Sequence, residues 1–411
     1  MKKFGNIKKT LEFFLLFLKI IFIMIFGGIL MKDVVIKKTE RKSNFELMRI
    51  VSMFMIVVWH FIMHSNLVGR SSGTLNLTLD FIYAIFCIHV NSFVLLSGYF
   101  QYNKKFNFKK IIPLIGATWF YKALFAIIFV ALGIVVIGKF DMLCFLLPID
   151  FSFSFGSFYW FINMYIVLYL LSPFLNILIR NLSQQNHRRL MILSIVLFSI
   201  LPYVTLQSTF SNNGYNIASF MMLYIIGAYF GKYKLENNFH FKNYSLEKRR
   251  FILIASLLFV FVLQFMILCL IRCLDGYDNI FLVYIRSVVL GGKNVFSAPL
   301  IVFETIIYLL LFETFNIKSK FINKVASLTF GIYLVHENYF VFNYIYQFFP
   351  LGTEGAISSL GVIGYVFFWS FVIFAVSAFV ELLRQLLFKG ISRFGFVKKI
   401  KHMCDNYVKN F

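Results

Sequence analysis

An arginine and a histidine stand eleven residues apart in RIVSMFMIVVWH, residues 49 to 60, with ten uncharged residues between them. Arginine is a permanent cation suited to phosphate or carboxylate. Histidine changes charge near neutrality and is the usual general base. On a helix, eleven steps of about 100° bring the two within about 20° of one face, about 16 Å apart along the axis. Such a pair would hold an anionic ligand at Arg49 and carry out proton chemistry at His60. Other polar groups stand at comparable depth in other apolar segments: His64 one turn beyond His60, His89 with Asn91, Lys122, Glu304, and His336 with Tyr333 one turn before it. An ionisable side chain is costly to bury alone in a membrane span and marks a functional site by default. One polar cavity shared by several helices is the economical arrangement. Blander readings compete: Arg49 as a snorkelling helix-end cation, His60, His89 and His336 as polar packing, His64 as a group that meets water, and Lys122 paired with Glu304 or a backbone carbonyl. Glu381 and Arg384, three apart, read as a local ion pair.

The elements that must position these groups follow from composition. Hydrophobic residues make up 60% of the 411 and charged residues 14%, with a mean hydropathy of +0.81. That leaves too little polar residue to cover a water-facing surface, and apolar runs recur throughout. The chain is expected to be an all-α polytopic bundle of ten transmembrane helices, at roughly 45–65, 79–100, 111–137, 159–180, 189–206, 217–231, 251–271, 296–314, 325–347 and 357–388. Loops on the N-terminal side of the first span, and every second loop after it, hold 27 Lys and Arg against 5 in the alternate loops. The first set is therefore expected in the cytoplasm, which places both ends of the ten-span core there, Arg49 near the cytoplasmic boundary and His60 in the outer half. The net charge of +23 is accounted for by these loops, so nucleic acid is not an expected partner. The five cysteines (Cys87, Cys144, Cys269, Cys273, Cys404) show no metal-ligand or paired pattern, and no metal is expected. Residues 1–30 form an apolar segment that fits neither an eleventh span nor a cleaved signal, since either would put the basic stretch 31–44 outside. Met31 is the expected start of a membrane domain covering 31–411.

The motifs resemble one known family. FELMRIVSMFMIVVWH matches the first-span pattern of the membrane acyltransferase-3 family, an Arg, ten residues, then a His. NSFVLLSGYF (91–100) resembles its F-x-LSG-[FY] segment, FYWFINMYIVLYLLSPFLN (158–176) its W-F…Y-L-x-P span, and SLTFGIYLVHENYF (327–340) its late Y-L-x-H span. The resemblance covers most of residues 40–345. It implies an integral-membrane O-acyltransferase that takes an acyl group, acetyl above all, from cytoplasmic acyl-CoA. The acceptor it implies is a hydroxyl of a surface glycan, exopolysaccharide sugar or lipid-linked glycan.

In that reading Arg49 positions the donor's phosphates or carbonyl. His60 is the general base, or a nucleophile carrying the acyl group, with His336 as a further catalytic contact. Ser97, in the tightly packing Ser97-Gly98-Tyr99 segment, borders the donor site. Lys109 and Lys110 stand where some members have arginines and offer point charges to phosphate. Tyr333, Glu304, Lys122 and Trp160 are the candidates for substrate contact, Trp160 by stacking on a sugar or else as an ordinary aromatic-belt residue. A glycan flippase or exporter would also need a membrane-embedded polar cavity, but the sequence shows neither an internal repeat nor the Gly/Pro-broken matching helices common in transporters. A glycan polymerase would want a large charged outer loop. The largest here, about 272–295, holds only Arg272, Asp275, Asp278, Arg286 and Lys293.

Overall fold

A computed structural model describes residues 41–65, 67, 73–136, 159–205, 212–234, 243–273, 296–349 and 358–391. The apolar segment 1–30 and the loop charges Asp275, Asp278, Arg286 and Lys293 lie outside these. Among the described residues every regular element is helical. In chain order they are α1 (Ser43–His64), α2 (Gly73–Phe86), α3 (His89–Gln101), α4 (Ile111–Ala131), α5 (Trp160–Asn181), α6 (Gln184–Val204), α7 (Ile217–Lys232), α8 (Leu246–Cys273), α9 (Pro299–Glu313), α10 (Lys320–Ala326), α11 (Thr329–His336), α12 (Tyr339–Tyr344) and α13 (Ser359–Ile391).

Among the described residues seven stretches are long and apolar enough to cross a membrane: α1, the α2–α3 pair, α4 with the turn before it, α5, α6, α8 and α13. The chain is thus a multi-pass helical membrane protein. The remaining three of the ten expected spans take other forms. The sixth is the 16-residue α7 and the eighth the 15-residue α9. The ninth is no continuous helix, because 325–347 divides into the end of α10, then α11, α12 and a closing 3-10 turn.

Burial sorts the bundle. The apolar window of α2–α3 is 83% buried and that of α1 67%, whereas α8 and α13 reach only 22%. α1 and α2–α3 therefore form the interior, and α8 and α13 turn Phe251, Phe259, Phe371 and Phe379 outward, the surface a helix shows to hydrocarbon. α1 begins with Glu46 in its first turn, where a carboxylate suits the helix dipole. Its Asn44 amide donates to the Phe312 carbonyl of α9 at 2.8 Å.

α3 and α7 pack most closely, and glycine is the reason. A methyl group on Gly98 would strike the Tyr224 carbonyl, one on Gly227 the Leu95 carbonyl, and one on Gly231 the Tyr99 carbonyl. The two backbones touch directly, as small residues permit between membrane helices, so Gly98 in the Ser97-Gly98-Tyr99 segment is a packing residue.

The break in the ninth segment is equally specific. The helix stops after His336, Glu337 leaves helical geometry, and the Asn338 side chain accepts from the Phe340 N–H to start α12. The Tyr159 hydroxyl spans the break, donating to the Leu334 carbonyl at 2.7 Å and accepting from Asn338 Nδ2 at 3.0 Å. Irregular backbone at this depth is tolerated where it is buried in protein or lines a cavity, and Glu337 lines one.

Candidate active site

One cavity of about 630 Å³ is lined both by Arg49 and by His60, a volume within the range of small-molecule sites. α1 supplies its wall through Arg49, Met53, Ile56, His60 and His64, steps of four, three, four and four residues, which keep to one helical face. Opposite stand Phe93, Ser97 and Gln101 of α3, with Phe161 and Tyr165 of α5.

At one end, His60 meets the broken segment. His60 Nδ1 lies 2.8 Å from Glu337 Oε2 and 3.0 Å from His336 Nε2. His336 Nδ1 sits 2.6 Å from the Ile332 carbonyl. A carbonyl only accepts, so His336 Nδ1 carries the proton and its Nε2 is a lone pair. His60 Nδ1 then faces two acceptors and must itself carry a proton. In the neutral ring that leaves His60 Nε2 as a bare lone pair with no partner among the described residues. A carboxylate that fixes a histidine tautomer and steadies the imidazolium formed on proton transfer is the logic of a carboxylate–histidine base. His64 Nε2 shares the same Glu337 oxygen at 2.9 Å, its ring stacked on Phe342 with centroids 4.4 Å apart. The wall here is aromatic: Trp160 lies 4.5 Å from Tyr215 and 5.9 Å from Phe296, centroid to centroid, and all three line the cavity. Tyr215 precedes α7, and burial together with the nearby Glu337 carboxylate pushes its hydroxyl up to about 12, so it stays protonated.

At the other end the lining is cationic. Arg49 pairs with Glu46 at 2.7 Å and lies over the Phe100 ring at 5.9 Å, a ring that Lys104 also approaches at 5.9 Å. Lys104 and Lys110 complete the lining there. Burial, then the neighbouring charges of Lys110 and Arg49, lower the Lys104 ammonium below its ordinary value. Arg49 has Glu46 as a counter-ion, but the cations outnumber it at this end, and like charges held close gain from a polyanion. Glu381 and Arg384 also line the cavity, in a bidentate pair with both contacts at 2.7 Å, joined by the Tyr121 hydroxyl at 2.8 Å.

The structure gathers some of the expected residues and leaves others aside. Arg49, His60, Ser97, Lys110, Trp160 and Tyr333 line the cavity. His336 does not, but backs His60 from behind. Lys109 is not in the lining, although Lys110 is. Lys122 and Glu304 are buried and are not in the lining, and Glu304 accepts from Gln264 at 2.7 Å with the Cys87 thiol at 3.5 Å. Its partners are thus not Lys122, and neither residue is in the lining. His89 is buried outside the lining, against Phe296. Glu337, Lys104, Tyr215 and Phe296 are lining residues that sequence reasoning passed over. For Glu337 a signal existed, an acidic residue directly after a mid-span histidine.

No curated protein and no solved structure matches the chain. A family model described as an acyltransferase domain matches residues 42–381, from the first turn before α1 to the Glu381 of the cavity lining. By that match, which covers well over half of the chain, the chain belongs to the acyltransferase-3 family.

Proposed function

We propose that the protein is an integral-membrane O-acyltransferase that moves an acyl group, acetyl in this reading, from cytoplasmic acyl-CoA to a hydroxyl of an extracytoplasmic glycan or lipid-linked glycan. The observation that carries the proposal is the single cavity with cations at one end and a carboxylate-backed histidine at the other. The loop charges favour the Arg49 end as cytoplasmic. Arg49, Lys104 and Lys110 then face the polyanionic part of the donor, and the thioester arm lies along Ser97 and Tyr165 toward His60.

The chemistry needs little more than positioning and a base, because a thioester is already activated. His60 Nε2 takes the proton of the acceptor hydroxyl as its oxygen attacks the thioester carbonyl. The tetrahedral intermediate collapses, the carbon–sulfur bond breaks, and the thiolate regains that proton from His60. The products are the ester and free coenzyme A, with no net proton change. Glu337 holds His60 in the reactive tautomer and stabilises its transient positive charge. Trp160, with Tyr215 and Phe296, offers the sugar an aromatic wall.

The test is the O-acetyl content of surface glycan in a deletion strain restored with wild type or with His60→Ala, each shown by blot to reach the membrane. The expected result is glycan exported at normal level but without O-acetyl groups in the His60→Ala strain. Full acetylation by that variant would remove His60 from the chemistry. Loss of surface glycan on deletion, with unmodified chains held inside, would favour a flippase or polymerase instead.

A further inference from the structure

Among the described residues one group of three His, Cys, Asp or Glu side chains brings its donor atoms within 4.8 Å of one another, and it is His60, His64 and Glu337. We propose that these three form a binding site for a zinc-class divalent ion, and that occupation of the site switches acyl transfer off.

The geometry is that of a site held together by protons in place of a metal. His60 Nδ1 and His64 Nε2 approach the same carboxylate oxygen, at 2.8 and 2.9 Å. Zinc at about 2.0–2.1 Å from each nitrogen and about 2.0–2.2 Å from the oxygen sets ligand atoms about 3.4 Å apart in a tetrahedron. The two nitrogen–oxygen contacts need only about half an ångström of opening, and the two nitrogens lie within 4.8 Å of each other. The two histidines are one turn apart on α1, the spacing that aims two imidazoles at one ion. The rings are ordered in advance, His64 by its stack on Phe342. Behind them His336 turns a further lone pair to within 3.0 Å of His60 Nδ1, its other nitrogen fixed on the Ile332 carbonyl. A ligand ring is commonly held by its second nitrogen in this way. Two imidazoles and one carboxylate suit zinc better than magnesium or calcium, which prefer all-oxygen sets. All three side chains are part of the cavity lining and partly open to it, so an ion has a way in.

The consequence follows from the tautomer. A metal on His60 Nδ1 leaves the proton of the neutral ring on Nε2. The nitrogen that would accept the acceptor's proton becomes a donor. This second half rests on the reading of His60 as the base, whereas the binding site does not.

The experiment uses the full chain in detergent, stripped with EDTA, and titrated calorimetrically with ZnCl2, with MgCl2 as control. Saturable one-to-one zinc uptake is expected. It should weaken at least about tenfold in His64→Gln and in Glu337→Gln, with circular dichroism confirming that both variants fold. Absence of saturable uptake, or uptake unchanged in both variants, overturns the site. In membranes, ZnCl2 should suppress acyl transfer and EDTA restore it. The inhibition curve of His64→Gln, scaled to its own metal-free rate, should move at least about tenfold to higher zinc. Stimulation by zinc, or loss of activity on chelation, overturns the switch. Wild type that takes up zinc but transfers no acyl group under any condition sinks the acyltransfer reading and leaves the site standing.

Discussion

Glu337→Gln is the sharpest perturbation of the proposed base. The glutamine keeps the shape and an oxygen that can still accept from His60 Nδ1, now 2.8 Å from the carboxylate, but removes the charge. In the resting state the difference is that between a hydrogen bond to an ionised group, about 1.5–3 kcal/mol net, and a neutral one, about 0.5–1.5. During transfer the imidazole becomes a cation and the contact an ion pair, worth about 4 kcal/mol at about 4 Å between charge centres and an effective dielectric constant of about 20. The loss specific to the transition state therefore lies between about 1.5 and 4 kcal/mol, and about tenfold in rate goes with each 1.4 kcal/mol. We expect kcat to fall about 100-fold. The KM for the acyl donor should stay within about threefold, because the cations at the Arg49 end lie about three helical turns away. The assay is transfer of a radiolabelled acetyl group from acetyl-CoA in membrane vesicles, with donor and acceptor varied separately. A loss in kcat alone marks an interaction made only in the transition state. Wild-type kcat, or a rise in donor KM with kcat unchanged, would refute the role assigned to Glu337.

Arg49→Ala should raise the donor KM about 10–100-fold, as expected for losing a hydrogen bond between charged partners, whereas Lys104→Ala and Lys110→Ala should each cost only a few-fold and lose their effect at high salt; equal effects of all three would argue against a dominant contact at Arg49. Because the Lys104 ammonium is lowered, it gives up its proton earlier than an ordinary lysine as pH rises, so donor KM should climb at the alkaline end. Lys104→Arg, which keeps its charge, should flatten that climb, and an unchanged profile would dismiss Lys104 as a donor contact. Gly98→Val should destabilise the fold by about 2 kcal/mol or more through collision with the Tyr224 carbonyl, read as a lower melting temperature in detergent. A melting temperature equal to that of wild type would mean the α3–α7 contact is not held as described.

The α1 stripe was legible because two simple facts coincide. Helical period fixes which residues share a face, and a cation or imidazole in an apolar run must face something polar. The placing of Arg49 and His60 on one face followed from that alone. The Glu381–Arg384 pair was legible for the same reason, one turn of spacing. What escaped depended on a departure from regular helix. Glu337 stands in the site because the chain breaks after His336, and an apolar run read by hydropathy conceals a break. The Asn338 cap was the sign of it. Lys104 escaped because, of the cations in its loop, only Lys109 and Lys110 were weighed as donor contacts, although the folded loop brings Lys104 beside Arg49. Lys122 and Glu304 stand outside the lining for a different reason. A buried carboxylate needs partners but not one particular site, and Gln264 and Cys87 serve Glu304 locally.

The contact of α3 with α7, backbone on backbone through three glycines, bears on how the passage opens. A helix seated on another through main-chain atoms has no side-chain layer to compress or slide, so Phe93, Ser97 and Gln101 ride on a stiff rail. The facing wall is of another kind: α10, α11 and α12 are short pieces of seven, eight and six residues joined at breaks, and α11 with the residues flanking it lines the passage. A passage with one rigid and one segmented side opens asymmetrically. The segmented side carries Tyr333 and Glu337, and Glu337 is the partner of His60. A displacement of that wall would therefore alter access to the cavity and the pairing of His60 together.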